Sequence, residues 1–336
     1  MSRYEEAHAN PQGPGDARPT ALQIVKDEGV VGKLNDKVIV ITGTSSGIGI
    51  ETARALAATG AKLFLTARDL GKAKTALASF WDPNRMELVQ LDLGSFKSVR
   101  DAAAVILAKS NQVNILINNA GIMAVPDLQF TEDGCELQFG TNHLSHFLFF
   151  QLLKPALLAA SSPGFQSRVV TLASSGHRAH GINETGNYNF ENGGYSPWIS
   201  YAQSKTANIY MANEIERRYG SRGLHATSVH PGGVDTNLKQ YIPPAQLQAA
   251  RSNPLVLKIA KSPEQGAATT VWAAIGAEWE GKGGKYLSNC SVAPRGVDDG
   301  NMMSTDFVTH TYDAEKEARL WHDSIVMCGL DEKEEA

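Results

Sequence analysis

The chain has 336 residues, of which 42% are hydrophobic and 20% charged, and its formal net charge is −4. This composition predicts a globular protein with a large core, and the weakly acidic balance gives no electrostatic footprint for nucleic acid. Three cysteines are too few and too scattered for a disulfide framework or a zinc site, so we expect reduced thiols and a cytoplasmic location.

The N-terminal region is polar and rich in Pro, Gly and charge, and it lacks the apolar stretch of a secretory signal. We expect a disordered tail over residues 1–20, followed by an arm or short helix over residues 21–36. The most apolar helix is interrupted by Gln151, Lys154 and Pro155, so no membrane span is predicted.

From Lys37 onward, short apolar runs alternate with helix-like segments. The strand-like runs are residues 37–42, 62–67, 86–92, 114–119, 168–174, 224–230 and 285–288. The helix-like segments are residues 48–59, 69–79, 95–109, 131–160, 197–219 and 263–275. This alternation predicts a parallel sheet covered by helices on both faces. We therefore predict one α/β domain over residues 37–330, a doubly wound (Rossmann) fold with a seven-stranded parallel sheet.

A glycine-rich turn, TGTSSGIG at residues 42–49, joins the first strand to the first helix. Glycines there let a phosphate approach the backbone, and the helix N-terminus offers free N–H groups and positive partial charge. The spacing G-x-x-x-G-x-G differs from the commoner G-x-G-x-x-G, and a purely structural turn is the alternative. The predicted phosphate-binding residues are Gly43, Thr44, Ser46, Gly47, Ile48 and Gly49.

Three motifs resemble those of the short-chain dehydrogenase/reductase family in order and spacing, over roughly residues 37–300. They are TGTSSGIG (42–49), NNAG (118–121) and YAQSK (201–205). Three further stretches are similar to the retinol-dehydrogenase-like branch of that family, ARD (67–69), TNHLSHFLF (141–149) and RLWHDS (319–324). The resemblance implies an oxidoreductase that moves a hydride between a nicotinamide dinucleotide and a small-molecule substrate.

Tyr201 and Lys205 lie one helical turn apart, so an ammonium can sit near a phenol. A nearby lysine and the positive ring of an oxidised nicotinamide both favour phenolate, which suits Tyr201 for proton exchange with a substrate oxygen. The resemblance implies that Lys205 also binds the nicotinamide ribose. A Tyr/Lys pair on a surface helix is the alternative.

Two further residues complete the predicted catalytic set. Ser174 ends the fifth strand, where its hydroxyl can polarise a carbonyl. Ser175 is the alternative, but alignment of RVVTLAS with the family's strand favours Ser174. The resemblance places Asn142 at the family's fourth catalytic position, where it shapes a helix bend and holds a water linked to the lysine. A helix cap or a buried amide is the alternative for Asn142.

Cofactor choice depends on the end of the second strand. An NAD-preferring site places a carboxylate there, whereas this chain has Ala67 followed by Arg68, which could pair with a 2′-phosphate. We therefore predict NADP(H). The resemblance implies that Asn118 ties the central strands together. It implies further cofactor contacts from Asp92, Leu93, Asn119, Ala120, Gly121, Tyr201, Lys205, Pro231, Gly232, Val234 and Thr236.

The substrate is expected to be a small, apolar carbonyl or alcohol, with reduction of a ketone or aldehyde favoured. Its pocket should include residues 237–260, which mix apolar and polar side chains with prolines as a mobile lid would. No metal is predicted, because the histidine pairs lack accompanying cysteines or carboxylates. A homodimer through the long helices is possible in this family. The alternatives are an NADP-binding sensor or scaffold, and an isomerase or dehydratase on the same fold.

Overall fold

The structure is a computed structural model that describes residues 2–331. At its centre lies an eight-stranded sheet in the order β3-β2-β1-β4-β5-β6-β7-β8. The strands are β1 (Val38–Thr42), β2 (Lys62–Ala67), β3 (Met86–Gln90), β4 (Ile115–Asn118), β5 (Ser167–Leu172), β6 (Leu224–His230), β7 (Lys285–Ser288) and β8 (Ser291–Val292).

The doubly wound fold predicted from the sequence is confirmed, and all seven predicted strands are present and parallel. The sheet differs from the prediction by one strand, because β8 pairs antiparallel with the end of β7. Two residues, Ser291 and Val292, are too few to show an apolar period in the sequence.

Helices cover both faces of the sheet. They are α1 (Glu5–Ala9), α2 (Ala21–Asp27), α3 (Ile48–Ala57), α4 (Leu70–Leu77), α5 (Phe96–Lys109), α6 (Leu137–Phe139), α7 (Ser145–Ala160), α8 (Pro197–Tyr219), α9 (Pro244–Ser252), α10 (Pro254–Ile259), α11 (Pro263–Gly266), α12 (Ala268–Ile275) and α13 (Ala314–Met327). Among residues 2–331, none of these helices is long and apolar enough to span a bilayer.

Alternate residues of the strands pack into two separate hydrophobic cores, one on each face of the sheet. Val40 and Phe64 pack against α5, α7 and α8 on one face, while Ile39 and Ile41 pack against α2, α3 and α12 on the other. Because successive side chains of a strand point to opposite faces, a strand buried on both faces reads as a continuous apolar run. This explains why the strands could be located from the sequence.

The N-terminal segment differs from the expected disordered tail. Residues 5–9 form α1, and both Tyr4 and Arg18 are buried. Tyr4 packs in the same core as Ile24 of α2, and its hydroxyl donates to Asp27. The expected arm at residues 21–36 contains α2, whose first turn is capped by the hydroxyl of Thr20. Packing against the body of the domain therefore orders this polar segment.

The predicted helix over residues 131–160 begins later than expected. The Glu136 carboxylate caps α6 by accepting from the Phe139 N–H, and a bridge joins Phe130 to Glu136 just before it. A π-helical segment, Gly140–Leu144, then leads into α7. A π segment adds an extra residue to the turn and bends the helix path.

Candidate active site

The glycine turn lies at the switch point of the sheet, where β1 and β4 are neighbours and their other neighbours run to opposite sides. Gly43 and Gly47 have φ of 74° and 63°, a left-handed region that glycine enters without strain. Gly47 is also the residue just before α3. The free N–H groups of this helix end therefore face the crevice in which doubly wound folds bind ligands.

The turn is packed too tightly for side chains. A Cβ placed on Gly49 would lie 2.2 Å from the Gly43 carbonyl oxygen and 2.6 Å from the Asn119 Nδ2. A Cβ on Gly43 would lie 2.8 Å from the Cα of Ala120. The bare backbone leaves the helix end accessible, so the residues present fit a dinucleotide pyrophosphate. Thr44 is buried and donates to the Thr66 carbonyl oxygen, 3.2 Å away, which fixes the turn to β2.

The NNAG segment is tied to β1 by a different residue from the one expected. The Asn119 Nδ2 donates to the Thr42 carbonyl oxygen at 2.7 Å, and the Thr42 hydroxyl accepts from the backbone N–H groups of Asn119 and Ala120. The Asn118 side chain is buried with no hydrogen-bond partner among the described residues. The expectation that Asn118 ties the central strands is therefore wrong, and Asn119 does so.

The end of β2 carries the predicted selectivity residues. Ala67 is buried, and Arg68 after it is exposed. The neighbouring Asp69 carboxylate caps α4 by accepting from the Lys72 N–H at 2.9 Å. The Asp69 carboxylate is thus used as a helix cap, and the Arg68 side chain is accessible to solvent.

The predicted adenine-side pair lies after β3. Asp92 is half-buried, and its carboxylate accepts from the Gly94 N–H at 2.9 Å, while its own N–H donates to Ser98. Leu93 is buried beneath it. These bonds fix the conformation of the turn at residues 92–94, which directly follows β3.

Tyr201 lies in the second turn of α8, which starts at Pro197, a residue whose fixed φ suits a helix start. Its side chain is 4% exposed, and it shares Gly176 with Ser174: a Cβ on Gly176 would lie 2.9 Å from the Tyr201 Cε1 and 3.3 Å from the Ser174 Oγ. Burial raises the pKa of the phenol to about 12, against a smaller lowering by Ser174. Without the cofactor the phenol therefore carries its proton at neutral pH, and the lowering expected from Lys205 together with an oxidised nicotinamide stays a prediction for the cofactor-bound protein.

Lys205 lies one turn further along α8. Its Nζ donates to the Leu172 carbonyl oxygen at 2.9 Å and lies 5.7 Å from the centre of the Tyr201 ring. Burial lowers the pKa of this ammonium to about 8. The ammonium is therefore directed at the end of β5 and lies near the phenol without bonding to it.

The two candidate serines have different surroundings. The Ser174 hydroxyl accepts from the Gly176 N–H at 3.0 Å, and it lies with the Tyr201 ring against that glycine. The Ser175 hydroxyl donates to the Met302 carbonyl oxygen at 2.7 Å, away from Tyr201. The structure thus brings Ser174, and not Ser175, to the phenol.

Asn142 lies inside the π-helical segment Gly140–Leu144. Its side chain accepts from the Ile122 N–H and donates to the Ile122 carbonyl oxygen, each at 2.9 Å, and it donates to Ser204 of α8. A Cβ on Gly121 would lie 3.0 Å from the Asn142 Oδ1 and 3.5 Å from the Lys205 Nζ. Asn142 and Lys205 therefore lie around the same glycine.

The loop after β6, residues 231–236, returns towards the glycine turn. A Cβ on Gly47 would lie 3.3 Å from the Cβ of Thr236, and Val234 pairs with Lys261 in a β-bridge. Gly232 has φ of 95° and packs against the Lys261 side chain. Pro231 directly follows β6 and starts this loop. Sequence reasoning missed Lys261, because a single lysine after the predicted lid carries no motif.

Histidine and tryptophan side chains serve packing. His143, His146 and His177 are buried and bonded to Ser324, Thr42 and Thr311, respectively. Among residues 2–331 no group of His, Cys, Asp and Glu could hold a metal ion. Trp272, Trp279 and Trp321 are buried in the cores.

The comparison with known families agrees with this geometry. The short chain dehydrogenase family model matches residues 37–247, which contain the glycine turn, the NNAG segment and the Tyr201–Lys205 pair. The chain belongs to the short-chain dehydrogenase/reductase family. Members of this family use NAD(H) or NADP(H), and the chain is accordingly an oxidoreductase with a nucleotide-binding Rossmann fold.

Curated relatives carry matching names. Short-chain dehydrogenase/reductase prx1 of Penicillium roqueforti is 50% identical over 330 residues, covering 98% of this chain and 96% of that protein. Oxidoreductase calI of Penicillium decumbens is 42% identical over 343 residues, covering 98% and 99%. WW domain-containing oxidoreductase of Homo sapiens is 35% identical over 285 residues, covering 82% and 66%. The retinol-dehydrogenase-like branch stays a prediction, because none of these names refers to it.

Solved structures show the same fold. A crystal structure of a protein from Mycobacterium paratuberculosis superposes with a TM-score of 0.65 at 32% identity, covering 88% of this chain and 94% of that one. The RhlG/NADP active-site complex of Pseudomonas aeruginosa gives a TM-score of 0.61 at 24% identity, covering 77% and 96%. At that identity the second likeness concerns the fold alone.

Proposed function

We propose that the protein is an NADP(H)-dependent oxidoreductase that transfers a hydride between the nicotinamide and a carbonyl/alcohol pair, with reduction of a ketone or aldehyde as the favoured direction. The observation that carries this proposal is the approach of Ser174 and Tyr201, which lie against the same glycine, Gly176, with Lys205 one turn further along α8. Binding alone would need neither hydroxyl at that position.

The side chains divide the work of carbonyl reduction. The bound cofactor supplies the hydride, and the protein supplies the proton and the orientation. Tyr201 donates its phenolic proton to the substrate oxygen as that oxygen gains charge, which its raised pKa allows at neutral pH. Ser174 donates a second hydrogen bond to the same oxygen and stabilises the developing charge.

Lys205 and Asn142 support Tyr201 and Ser174 without donating to the substrate oxygen themselves. The Lys205 ammonium lies close enough to stabilise the Tyr201 phenolate that remains after proton transfer. It would also bind the nicotinamide ribose hydroxyls. Asn142 fixes the bend of the π-helical segment and lies beside Gly121 together with Lys205, where a water could link them to solvent.

The preference for NADP(H) over NAD(H) rests on the end of β2. Arg68 is exposed, Ala67 offers no carboxylate, and the Asp69 carboxylate is used as the cap of α4. A guanidinium at this place forms charge-assisted bonds with a 2′-phosphate. The other cofactor contacts are proposed at three places. These are the turn after β3, the NNAG segment and the loop at residues 231–236.

Two alternatives remain, a non-catalytic NADP sensor or scaffold and an isomerase or dehydratase on this fold. The test is to screen ketones and aldehydes for oxidation of NADPH while titrating both cofactors. A reductase consumes NADPH with a carbonyl compound, a sensor binds it without turnover, and an isomerase regenerates it. No consumption with any carbonyl compound by a protein that binds NADPH tightly would overturn the proposal.

The location and assembly are part of the same proposal. A cytoplasmic site agrees with the three cysteines, which are all buried and free among the described residues. A homodimer through the long helices remains possible, although α13 already packs Trp321 against Phe147 and Phe150 of α7. Size-exclusion chromatography with light scattering would measure the assembly.

A further inference from the structure

The predicted lid lies largely at the surface, where Arg251 within it bonds to Asp235 at 3.0 Å. We call residues 237–260 the flap, and its two helices α9 and α10, which are fully described, contain no buried residue. Leu255 and Leu257 are 58% and 49% exposed. A helix of six residues with no buried residue has little stability of its own, so the position of α10 depends on its contacts with other segments.

Arg18 supplies the contact at the carboxyl end of α10. Its Nη1 donates to the Ile259 carbonyl oxygen at 2.9 Å, and its Nη2 donates to the Ala260 carbonyl oxygen at 2.6 Å. These oxygens belong to the last residue of the helix and the residue after it, which have no partner within a helix. A guanidinium at this end also interacts favourably with the helix dipole.

The segment that carries Arg18 is itself fixed to the domain. We call residues 10–18 the strap. Asp16 accepts from the Arg18 Nε at 2.8 Å and from the Gln265 Nε2 at 3.0 Å. The strap touches α10 directly as well, since a Cβ on Gly13 would lie 3.3 Å from the Leu257 carbonyl oxygen. The strap therefore connects α11, which carries Gln265, to the end of the flap.

The residue after the flap, Lys261, pairs with the loop at residues 231–236, which is predicted to contact the cofactor. Lys261 follows Ala260, its N–H donates to the Gly233 carbonyl oxygen at 2.9 Å, and it pairs with Val234. The Lys261 Nζ is held independently by Asn289, 2.9 Å away. Loss of the Arg18 contacts would therefore free α10 and leave the loop after β6 in place.

We propose that the strap is part of the substrate site, and that Arg18 is a positioning residue which holds α10 where the flap can close over an apolar substrate. The inference rests on the proposed function for the identity of the substrate site. Arg18 itself touches neither substrate nor cofactor. Its removal should therefore raise the KM for the carbonyl substrate with little change in kcat or in NADPH affinity.

Two pairs of variants test the proposal in the full-length protein. Arg18→Met removes the guanidinium, and Arg3→Met is its control, because Arg3 bonds to Asp27 and Glu28 of the arm. Gly13→Ala inserts a methyl group against α10. Gly15→Ala is its control, because Gly15 has a similar positive φ of 85° with no atom within 4 Å of the added Cβ.

Two measurements are made on each variant. Amide hydrogen exchange at residues 255–260 should accelerate about tenfold in Arg18→Met and Gly13→Ala, and remain as in the wild type in both controls. The KM of a carbonyl substrate at saturating NADPH should rise about tenfold in the same two variants, with kcat and the Kd for NADPH within about twofold. Both substitutions place a side chain at a positive φ, so equal melting temperatures in Gly13→Ala and Gly15→Ala make their comparison independent of folding.

The two readouts separate the possible failures. If exchange accelerates as expected and the wild type consumes no NADPH with any carbonyl compound, the proposed function fails while the strap contact stands. Equal exchange and equal KM in Gly13→Ala and Gly15→Ala would overturn the role of the strap. A fall in kcat with unchanged KM in Arg18→Met would also overturn it.

Discussion

Ser174 and Tyr201 lie against the same glycine just after β5, because a Cβ on Gly176 would lie 3.3 Å from the Ser174 Oγ and 2.9 Å from the Tyr201 Cε1. A carbonyl oxygen that enters between the two hydroxyls would accept a hydrogen bond from each. The same groups could then hold the substrate oxygen and neutralise the charge that it gains. This convergence underlies the predictions below.

Replacement of Ser174 tests which serine acts. Ser174→Ala should lower kcat about 10²–10³-fold, because one donor to the reacting oxygen is lost. Ser175→Ala is the matched control and should change kcat far less, since its hydroxyl donates to the Met302 carbonyl oxygen. Steady-state kinetics on the best carbonyl substrate measures both. A larger loss in Ser175→Ala would show that the serine assignment is off by one residue.

Replacement of Arg68 tests the cofactor preference. Arg68→Ala should lower the affinity for NADPH about tenfold to a hundredfold, because one charge-assisted contact to the 2′-phosphate is lost. The affinity for NADH should remain almost unchanged. Ala67→Asp combined with Arg68→Ala should turn the preference towards NADH. Fluorescence titration gives the dissociation constants.

The control for Arg68 is Lys72→Ala, which removes a positive charge from an exposed residue of α4 close by. It should leave the NADPH affinity within about twofold of wild type, since an exposed charge without contact is screened by salt. Wild-type protein that binds NADH as tightly as NADPH would contradict the reading of Ala67 and Arg68.

The buried ammonium of Lys205 predicts a pH dependence of stability. Folding lowers its pKa from the usual 10.5 to about 8, so between these values the unfolded chain binds the proton and the folded chain does not. The free energy of unfolding should therefore rise with pH from about 8 to about 10.5, by up to about 3 kcal/mol.

The difference between wild type and Lys205→Met isolates this contribution. The free energy of unfolding is measured by urea unfolding at pH 7 and at pH 10. The value for wild type minus the value for Lys205→Met should be larger at pH 10 than at pH 7. The other buried lysine, Lys261, has a similar lowered pKa but is present in both proteins, so its effect cancels. A difference that is constant across this range would mean that Lys205 is not desolvated in the free protein.

Much of the fold was predictable because its signals are local. Strands such as β1 and β2 are continuous apolar runs in the sequence, because helices cover both of their faces and every side chain is buried or half-buried. The glycine turn was predictable for a similar reason, since Gly43 and Gly47 adopt positive φ that few other residues tolerate. Its position between a strand and a helix then indicated a phosphate.

The features that sequence analysis missed depend on contacts between distant polar groups. Arg18 donates to the carbonyl oxygens of Ile259 and Ala260, which lie 241 and 242 residues further along the chain. No periodic pattern in the sequence indicates such a bond. The raised pKa of Tyr201 comes from burial among residues of several elements, whereas the sequence showed only the neighbouring Lys205. The exchange of roles between Asn118 and Asn119 likewise depends on side-chain direction at the end of β4.

The central claim is that the Tyr201 phenol supplies the proton for carbonyl reduction, and Tyr201→Phe tests it most directly. The matched control is Tyr210→Phe, which removes another buried phenol from α8, one that donates to the His310 carbonyl oxygen at 2.6 Å. The measurement is NADPH consumption with a carbonyl substrate, together with the Kd for NADPH. We predict that Tyr201→Phe abolishes turnover with the Kd within about twofold of wild type, while Tyr210→Phe retains turnover. Turnover by Tyr201→Phe above about a tenth of wild type would contradict the account.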